Sequence, residues 1–524
     1  MIATLCFLHQ NLSLPDTRPL TPTLRRPIIG PCHTINNPSK GGALIKALLK
    51  VAVDHAVRFG ASYAEARYQN LETEDVQVKN GAVQTANRGR DRGVGVRVVW
   101  KGAYGFASTS LLDPREMRRT AARALGIAKA ASTVQRGGLI LDEIDAHVGY
   151  WPAPYEIHPF SVPLEDKVEL LLEATEALRV ADEIKVADGF YHGRETHKIF
   201  VSSIGSEIEQ RKVECGAGIS CTAVKNGEMQ RRSYPDSARG FHQARGWEHV
   251  LGMNLIENAP RCAKEVLELL DAEEPDEGEA DLVIDGSQMM LQIHESCGHA
   301  VELDRVLGQE ASFAGTSFLT TDKRGSFIYG SPLVNLYADA TIPHSLGYFA
   351  FDDEGVPARK FYLVRDGVFC DYLSTRDTAH VHGGRSHGAA RAQSWSDFPI
   401  CRMTNICLEP GDATLEDLIG GVKKGYYLVT NKSWSIDDKR INFQFGVEYA
   451  RRIENGQLGA VVKNIFYADK TPRFWGSCDG IGNAETWKLW GTPNCGKGEP
   501  MQVMRISHGT SPARFRGVKV GVAK

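Results

Sequence analysis

Residues 290–304 read MLQIHESCGHAVELD, and three of them, His294, Glu295 and His299, are of the types that hold a divalent metal and activate water beside it. Imidazole nitrogens bind the ion, and a carboxylate next to a ligand is suited to take a proton from the attacking water. The spacing is HExxxH, one residue longer than the HExxH pair that shares a helix face. On a regular α-helix a separation of four turns the second ring by about 40°, and a separation of five by about 140°. Rings that far apart point to different sides. Spacing alone therefore favours the plainer alternative, a buried helix whose histidines are satisfied by hydrogen bonds.

Two devices would bring the rings together. A π-bulge, with i→i+5 bonding, returns the second ring to the first ring's face. Alternatively the helix stops near Gly298, which can take a positive φ and re-aim His299. A distorted or terminated helix is expected either way, capped at its start by Ser287. Glu302 and Asp304 follow closely enough to accept from the imidazole N–H groups and orient the rings. A second group, HVHGGRSHGAAR, carries His380, His382 and His387 in a Gly-rich loop. It is expected to face the site and to touch substrate rather than to bind a second metal. Arg391 or Arg402 is the candidate to hold a peptide carbonyl or carboxylate.

The elements that must position these residues are legible in outline. Asn80–Gly81, Asn226–Gly227, Asp366–Gly367 and Asn455–Gly456 each lie between β-prone flanks, as does Lys101–Gly102, and each predicts a tight hairpin. The segments VKNGAVQ and VKNGEMQ are alike enough to suggest edge hairpins of similar sheets. LIKALLKVAVDHAVRFG has helical periodicity and stops at Gly60. DPREMRRTAARALGIAKAA opens with Asp113 as N-cap and Pro114 behind it. Leu164–Leu178 is amphipathic, and PRCAKEVLELLDA closes before an acidic run, Glu273 to Asp281. The expected fold class is α+β. A helix-and-hairpin half precedes that run, and a β-rich half on mixed or antiparallel sheets follows it. The division reads as a disordered tail over 1–40, an α+β domain over 41–150, a second over 151–272, a linker over 273–281 and a C-terminal domain over 282–524.

The 524-residue chain has a net charge of −3 and no basic stripe, which argues against direct nucleic-acid contact. The basic cluster Arg88, Arg90, Arg92 and Arg97 is broken by Asp91 and reads as a solvated loop entering a strand. No apolar run approaches the ~18 residues of a membrane span. MIATLCFL lacks a basic flank and a cleavage site, so it does not read as a signal peptide. The 11 cysteines form no CxxC pair. Reduced thiols in the cytoplasm are the expectation.

The HExxxH segment, together with LGYFAFDDEGVPARKFYLVRDGVFCDYL, FPICRMTNICLEPGDATLEDLI, KKGYYLVT, INFQFGVEYARRIENGQL and NCGKGEPMQVMRISHGTSPARFRGVKVG, resembles the TldD/PmbA metallopeptidase family, also called modulators of DNA gyrase. SYAEARYQN and VQVKNGAVQTANRGRDRGVGVRVVWKGAYGFAS are similar to that family's first domain. The resemblance implies one Zn2+ per chain, held by His294, His299 and a distant Cys in a Cys-Gly-Lys motif, with Glu295 as base. In this sequence that motif is NCGKGEP, which points to Cys495; Cys478, in GSCDGIG, competes. Cys297 is expected to pack in the core. The resemblance also implies hydrolysis of unfolded peptides in the cavity of a dimer, either a homodimer or a pair with a metal-free PmbA/TldE-like subunit. Two other functions stand against this one: a non-catalytic peptide-binding subunit of the same family, and a gyrase regulator.

Overall fold

The computed structural model describes residues 40–523 apart from 136 and 238. The tail expected over 1–40 thus lies, but for Lys40, outside the described residues. The first half contains α1 (Lys40–Arg58), β1 (Tyr63–Lys79), β2 (Ala82–Trp100), β3 (Ala103–Thr109), α2 (Pro114–Ala131), β4 (Val148–Pro152), α3 (Leu164–Ala177), β5 (Ile184–Ser202), β6 (Glu207–Lys225), β7 (Glu228–Tyr234), β8 (Phe241–Gln243), α4 (Trp247–Leu251) and α5 (Leu255–Asp271). The strands form one sheet in the order β3-β2-β1-β5-β6-β4, with β7 and β8 also on β6. It runs unbroken across residue 150, because β1 pairs β5 from Glu65 to Lys79.

The two faces of this sheet differ in chemistry because side chains alternate along a strand. Ala66, Tyr68 and Val76 of β1, with Val201, Ile199 and Tyr191 opposite them on β5, are buried beneath helices. α1 and α2 cover one end and α3 and α5 the other. α1 presents Leu48, Leu49, Ala52, Val53 and Ala56 to the sheet, a stripe at helical spacing, and ends before Gly60, whose φ is +98°. α2 is capped by Asp113, which accepts from Arg115 N and Glu116 N at 2.8 and 3.0 Å. The intervening residues Glu65, Arg67 and Gln69 point the other way and are also buried. This face meets the second half through ion pairs: Arg67 with Asp353 at 3.4 Å, Lys198 with Asp353 at 2.8 Å, and Arg97, itself paired with Glu65 at 2.9 Å, with Glu354 at 2.8 Å.

All five hairpins form as expected. In each turn the residue and the Gly after it both have positive φ, for example +49° and +76° at Asn80–Gly81. The two similar hairpins, however, belong to one sheet rather than to two.

The second half begins inside the acidic run, since β9 (Gly278–Ile284) starts before its end. Then come α6 (Gly286–Ile293), α7 (Leu303–Val306), β10 (Leu336–Asp339), β11 (Lys360–Arg365), β12 (Val368–Phe369), β13 (Ala390–Arg391), β14 (Ile400–Cys401), β15 (Ile406–Leu408), α8 (Leu415–Gly420), β16 (Lys424–Ile436), β17 (Asn442–Glu454), β18 (Gln457–Val462), β19 (Ile465–Lys470), α9 (Thr471–Gly476), β20 (Cys478–Ile481), β21 (Lys488–Lys497), β22 (Gln502–Thr510) and β23 (Ala513–Val522). Strands β16-β9-β23-β19-β17 close into a barrel through the β16–β17 pairing. Only β16–β9 is parallel among these. Leu282, Ile284, Tyr426, Leu428, Phe445, Tyr467 and Phe515 belong to the core that the barrel shares with α6, while Val283 faces out under α8. The first and last strands of the barrel are neighbours, with Ile284 opposite Ala513. Among the described residues no helix is long and apolar enough to cross a membrane.

Candidate metal centre

α6 leaves the barrel directly after β9. Its N-cap is Asp285, not Ser287: the Asp285 carboxylate accepts from Ser287 N at 2.9 Å, and the Ser287 hydroxyl donates to it. All eight residues of α6 are buried. Its two glutamines are linked through one hydroxyl in the core: Gln288 donates to the Tyr467 hydroxyl at 2.9 Å and that hydroxyl donates to Gln292 at 3.0 Å, while Gln288 Oε1 and Gln292 Nε2 have no partner among the described residues.

His294–Gly298 then form a π-turn, closed by the His299 N–H donating to the His294 carbonyl at 3.1 Å. The wider turn swings the second ring back, and the two ring centroids lie 4.9 Å apart. Of the two devices, the π-turn is therefore the one used. Gly298 does not take a positive φ. It is glycine for lack of room: a Cβ there would run into the sulfur of Met403. Met403 cannot retreat easily, since it is fully buried and its backbone N–H is tied to Glu302 and its carbonyl to Arg391. Gly298→Ala is expected to lower stability by about 1–3 kcal/mol through overpacking and to reduce bound metal by displacing His299. Denaturant melts and metal analysis of the variant check both.

The third donor arrives from β21. A register shift between Thr492 and Cys495 in the β21–β22 hairpin aims the Cys495 side chain inward. Its Sγ lies 3.4 Å from His299 Nε2, and one ligand atom from each of His294, His299 and Cys495 falls within 4.8 Å of the others. Cys478 is elsewhere, with its thiol 3.9 Å from the Gly480 carbonyl, and Cys297 packs in the core.

Hydrogen bonds fix which nitrogen of each ring is free. His508 Nδ1 meets the Ile406 carbonyl at 2.9 Å, and a carbonyl can only accept, so that nitrogen carries the proton. Burial pushes His508 down to about 4, which keeps it neutral and makes its Nε2 an acceptor. His294 Nδ1 lies 2.9 Å from that Nε2 and must donate to it, leaving His294 Nε2 with its lone pair. His299 Nδ1 donates to Glu302 at 2.9 Å, leaving His299 Nε2 likewise free. Burial holds both imidazoles well below the ordinary histidine range, and His299 and His508 add to this for His294, as Arg440 and Arg305 do for His299. Neutral rings with free Nε2 are what a cation needs. Burial pushes the Cys495 thiol up to about 11, against the pull of Arg402, whose Nη2 lies 3.1 Å from the sulfur. A bound cation would tip that thiol to thiolate. The three side chains are thus a group able to hold a metal ion.

Glu295 follows His294 and pairs with Arg440 at 2.8 Å. Burial raises its carboxyl above the ordinary range, and Arg440 and Arg239 oppose this. Arg440 itself sits in a left-handed backbone conformation, φ +65°, held by its N–H to the Asp437 carbonyl at 2.9 Å.

Several assignments from the sequence change. Glu302 accepts from His299 Nδ1, but Asp304 meets no ring: it accepts from Lys497 Nζ at 2.6 Å. Arg402 is fully buried and donates to the Cys495 sulfur and carbonyl and to the Gln502 carbonyl, so it supports the third donor and is not open to substrate. His387 is not at the triad. It stacks on Phe361 with centroids 4.1 Å apart and on His382 at 4.9 Å, and bonds to the Tyr372 carbonyl. His508, Arg440 and Lys497 were not singled out in the sequence. Lys497 stands in the quoted Cys-Gly-Lys motif. His508 and Arg440 have no spacing relation to HExxxH that would mark them.

Family models described as PmbA/TldA metallopeptidase match three segments: domain 1 over residues 64–128, the central domain over 157–272 and the C-terminal domain over 277–521. The chain belongs to the TldD/PmbA metallopeptidase family. A metalloprotease of Methanocaldococcus jannaschii is 29% identical over 402 residues, covering 77% of this chain and 85% of that protein. A protein of Saccharolobus solfataricus named zinc metalloprotease TldD homolog is 24% identical over 428 residues, 80% and 88% of the two chains. Among solved structures, a modulator of a DNA gyrase from Thermotoga maritima superposes with a TM-score of 0.72 at 16% identity, covering 91% of this chain and all of that one. TldE from Thermococcus kodakarensis gives 0.69 at 17%, covering 90% and 100%. These two likenesses establish the TldD/PmbA fold for the chain.

Proposed function

We propose that this TldD/PmbA chain is a zinc-dependent peptidase acting on unfolded peptides, with one Zn2+ held by His294 Nε2, His299 Nε2 and Cys495 Sγ. The observation that carries the reading is the buried group of two neutral imidazoles and a thiol with a carboxylate, Glu295, in the same π-turn. Three donors of this kind fit tetrahedral zinc with one position left open, the arrangement of catalytic rather than structural sites. Zinc bound there supplies a Lewis acid for a peptide carbonyl and lowers the pKa of water. Glu295 Oε2 accepts from Arg440 Nη1, which leaves Oε1 to take the proton of the attacking water and hand it to the leaving amine. Glu302 holds the His299 ring in its tautomer, His508 does the same for His294, and Arg402 screens the charge of the Cys495 thiolate.

Unfolded peptide as substrate is supported by the hairpin that carries Cys495. Among the described residues β21 pairs only β22, so a peptide backbone can bond along β21 between the Leu489 and Cys495 carbonyls, which accept from Gln243 and Arg402. A metal-free partner role for this chain is disfavoured by its complete donor set, and the likeness to TldE supports assembly with a second subunit, either a copy or a TldE-like chain. The cytoplasm is the proposed location, and direct nucleic-acid contact is not part of the reading.

The test is metal analysis of the purified protein alongside cleavage of an unstructured peptide. About one zinc per chain is expected, with both zinc and cleavage lost on chelation and regained on adding zinc back. Protein prepared without chelators that carries no zinc and takes none up would sink the reading.

A further inference from the structure

A cavity of about 400 Å³ lies between the polar face of the large sheet and the hairpin that carries Cys495. β1, β5 and β6 contribute Gln69, Arg194, Lys198, Lys212 and Glu214 to its wall. These residues share one face, since Arg194 is opposite both Thr73 and Glu214 in register, and Lys198 is opposite Gln69. The far wall is Arg391 and the β21–β22 residues Pro493, Met504 and Arg505. Met504 is the register partner of Cys495, so this wall is one strand away from the candidate metal centre.

Five cationic side chains line the cavity: Arg194, Lys198, Lys212, Arg391 and Arg505. Its acids are already committed. Asp353 pairs with Lys198 at 2.8 Å, and Glu214 pairs with Lys212 at 2.9 Å and with Arg505. Asp352 spends both oxygens on the backbone N–H groups of Glu354, Val356 and Ala390. Asp91, at the exposed rim, accepts from the Trp395 indole. Two guanidinium groups are left with no carboxylate partner among the described residues. Arg194 reaches only the Thr196 hydroxyl, at 3.3 Å, and Arg391 donates to the carbonyls of Met403 and Arg505. Burial lowers both to about 10 and Lys212 to about 8, the mark of cations held in a poorly solvated place. Glu214 acts on both guanidinium groups, and Asp353 on Arg391, only through space and without an ion-pair contact, so cationic field is left over for whatever enters the cavity.

We propose that this cavity is a carboxylate-binding subsite, in which Arg194, with Arg391, Arg505 and Lys212 around it, receives a carboxylate of the peptide bound along β21. The assignment rests on the peptidase reading for the identity of the ligand as a peptide. Guanidinium groups bind carboxylates through two parallel N–H donors, and Arg194 has its terminal nitrogens uncommitted. The carboxylate comes from one of two sources, the peptide C-terminus or an acidic side chain. Either one would give the enzyme a charge preference in place of a side-chain pocket of defined shape.

The test is equilibrium binding of fluorescent unstructured peptides to the full-length, zinc-loaded Glu295→Gln protein, which leaves the probes intact. One pair of peptides differs only in a free or amidated C-terminus. A second pair, both amidated, differs only in one Glu or Gln. At 50 mM salt the acid member of at least one pair is expected to bind about tenfold more tightly, and the pair that responds names the source. Added as a second substitution in the Glu295→Gln chain, Arg194→Gln is expected to shrink that ratio to under threefold, while Arg194→Lys keeps most of it and shows that the fold is intact. Equal binding within both pairs overturns the subsite, as does a ratio unchanged by Arg194→Gln. Failure of the peptidase reading is separable. Absence of zinc or of cleavage in the parent chain with the acid preference intact sinks that reading alone, and zinc-dependent cleavage with no acid preference sinks this one alone.

Discussion

Cys495→Ala will release the metal, and Cys478→Ala will leave about one ion per chain. The two cysteines are equally buried and both lie near glycines, so composition does not separate them. Position does. Cys495 Sγ is 3.4 Å from His299 Nε2 and receives a charged donor, Arg402, on its other side. Cys478 has only the carbonyl of Gly480 beside its sulfur, and burial pushes its thiol up to about 12 with no cation near enough to reverse this. Removing the thiolate leaves two imidazoles and a fully desolvated Arg402 facing the gap. The loss therefore combines a missing ligand with an uncompensated charge, and is expected to exceed the 10–100-fold typical of a residue that merely orients a ligand. Metal content by elemental analysis, with a thermal melt to confirm folding, reads the result. Metal kept in Cys495→Ala and lost in Cys478→Ala would reverse the assignment.

Glu295→Gln will keep the metal and lose cleavage. The amide oxygen can still accept from Arg440, so the ion pair becomes an ordinary hydrogen bond and the π-turn keeps its partner. What the amide cannot do is take a proton from water. A fall in turnover of about 10²–10⁴-fold is expected, the usual contribution of a positioned acid–base group, with metal content within error of the parent. Single-turnover cleavage of a quenched peptide measures it. Turnover within a few-fold of the parent would remove Glu295 from the proton path.

The ease with which these features could be read differs by the range of the interaction behind them. The five hairpin turns are local, each set by two residues that must take positive φ, and they stand in the sequence without ambiguity. The distortion after Ile293 is also local, since histidines five positions apart cannot serve one ion on a regular helix. Which distortion occurs is not local. It depends on Met403, over a hundred residues away, whose sulfur occupies the space beside Gly298. The third donor lies 196 residues beyond His299, and only the likeness to a family pointed to it. A lone arginine near a site suggests a substrate contact, yet Arg402 is spent on the sulfur and carbonyl of Cys495, 93 residues along the chain. His508 acquires its role where β22 passes the Ile406 carbonyl and His294, and Arg440 where the turn between β16 and β17 reaches Glu295; no periodicity in the strands announces either approach.

That closure has a consequence for how the protein holds together. Ile284 and Ala513 are rung partners, one handing the chain to the histidine helix and the other receiving it from the cysteine hairpin three residues after Thr510. The donors are far apart along the chain yet hang from adjacent staves, so an ion bound between them is a clasp across the seam where the domain's first strand meets its last. Its binding free energy is drawn on by the closed barrel and not by the open one. Loss of the ion and fraying of the C-terminal strand are then two views of one equilibrium, and the concentration of free metal becomes a setting for how firmly the chain's end is fastened.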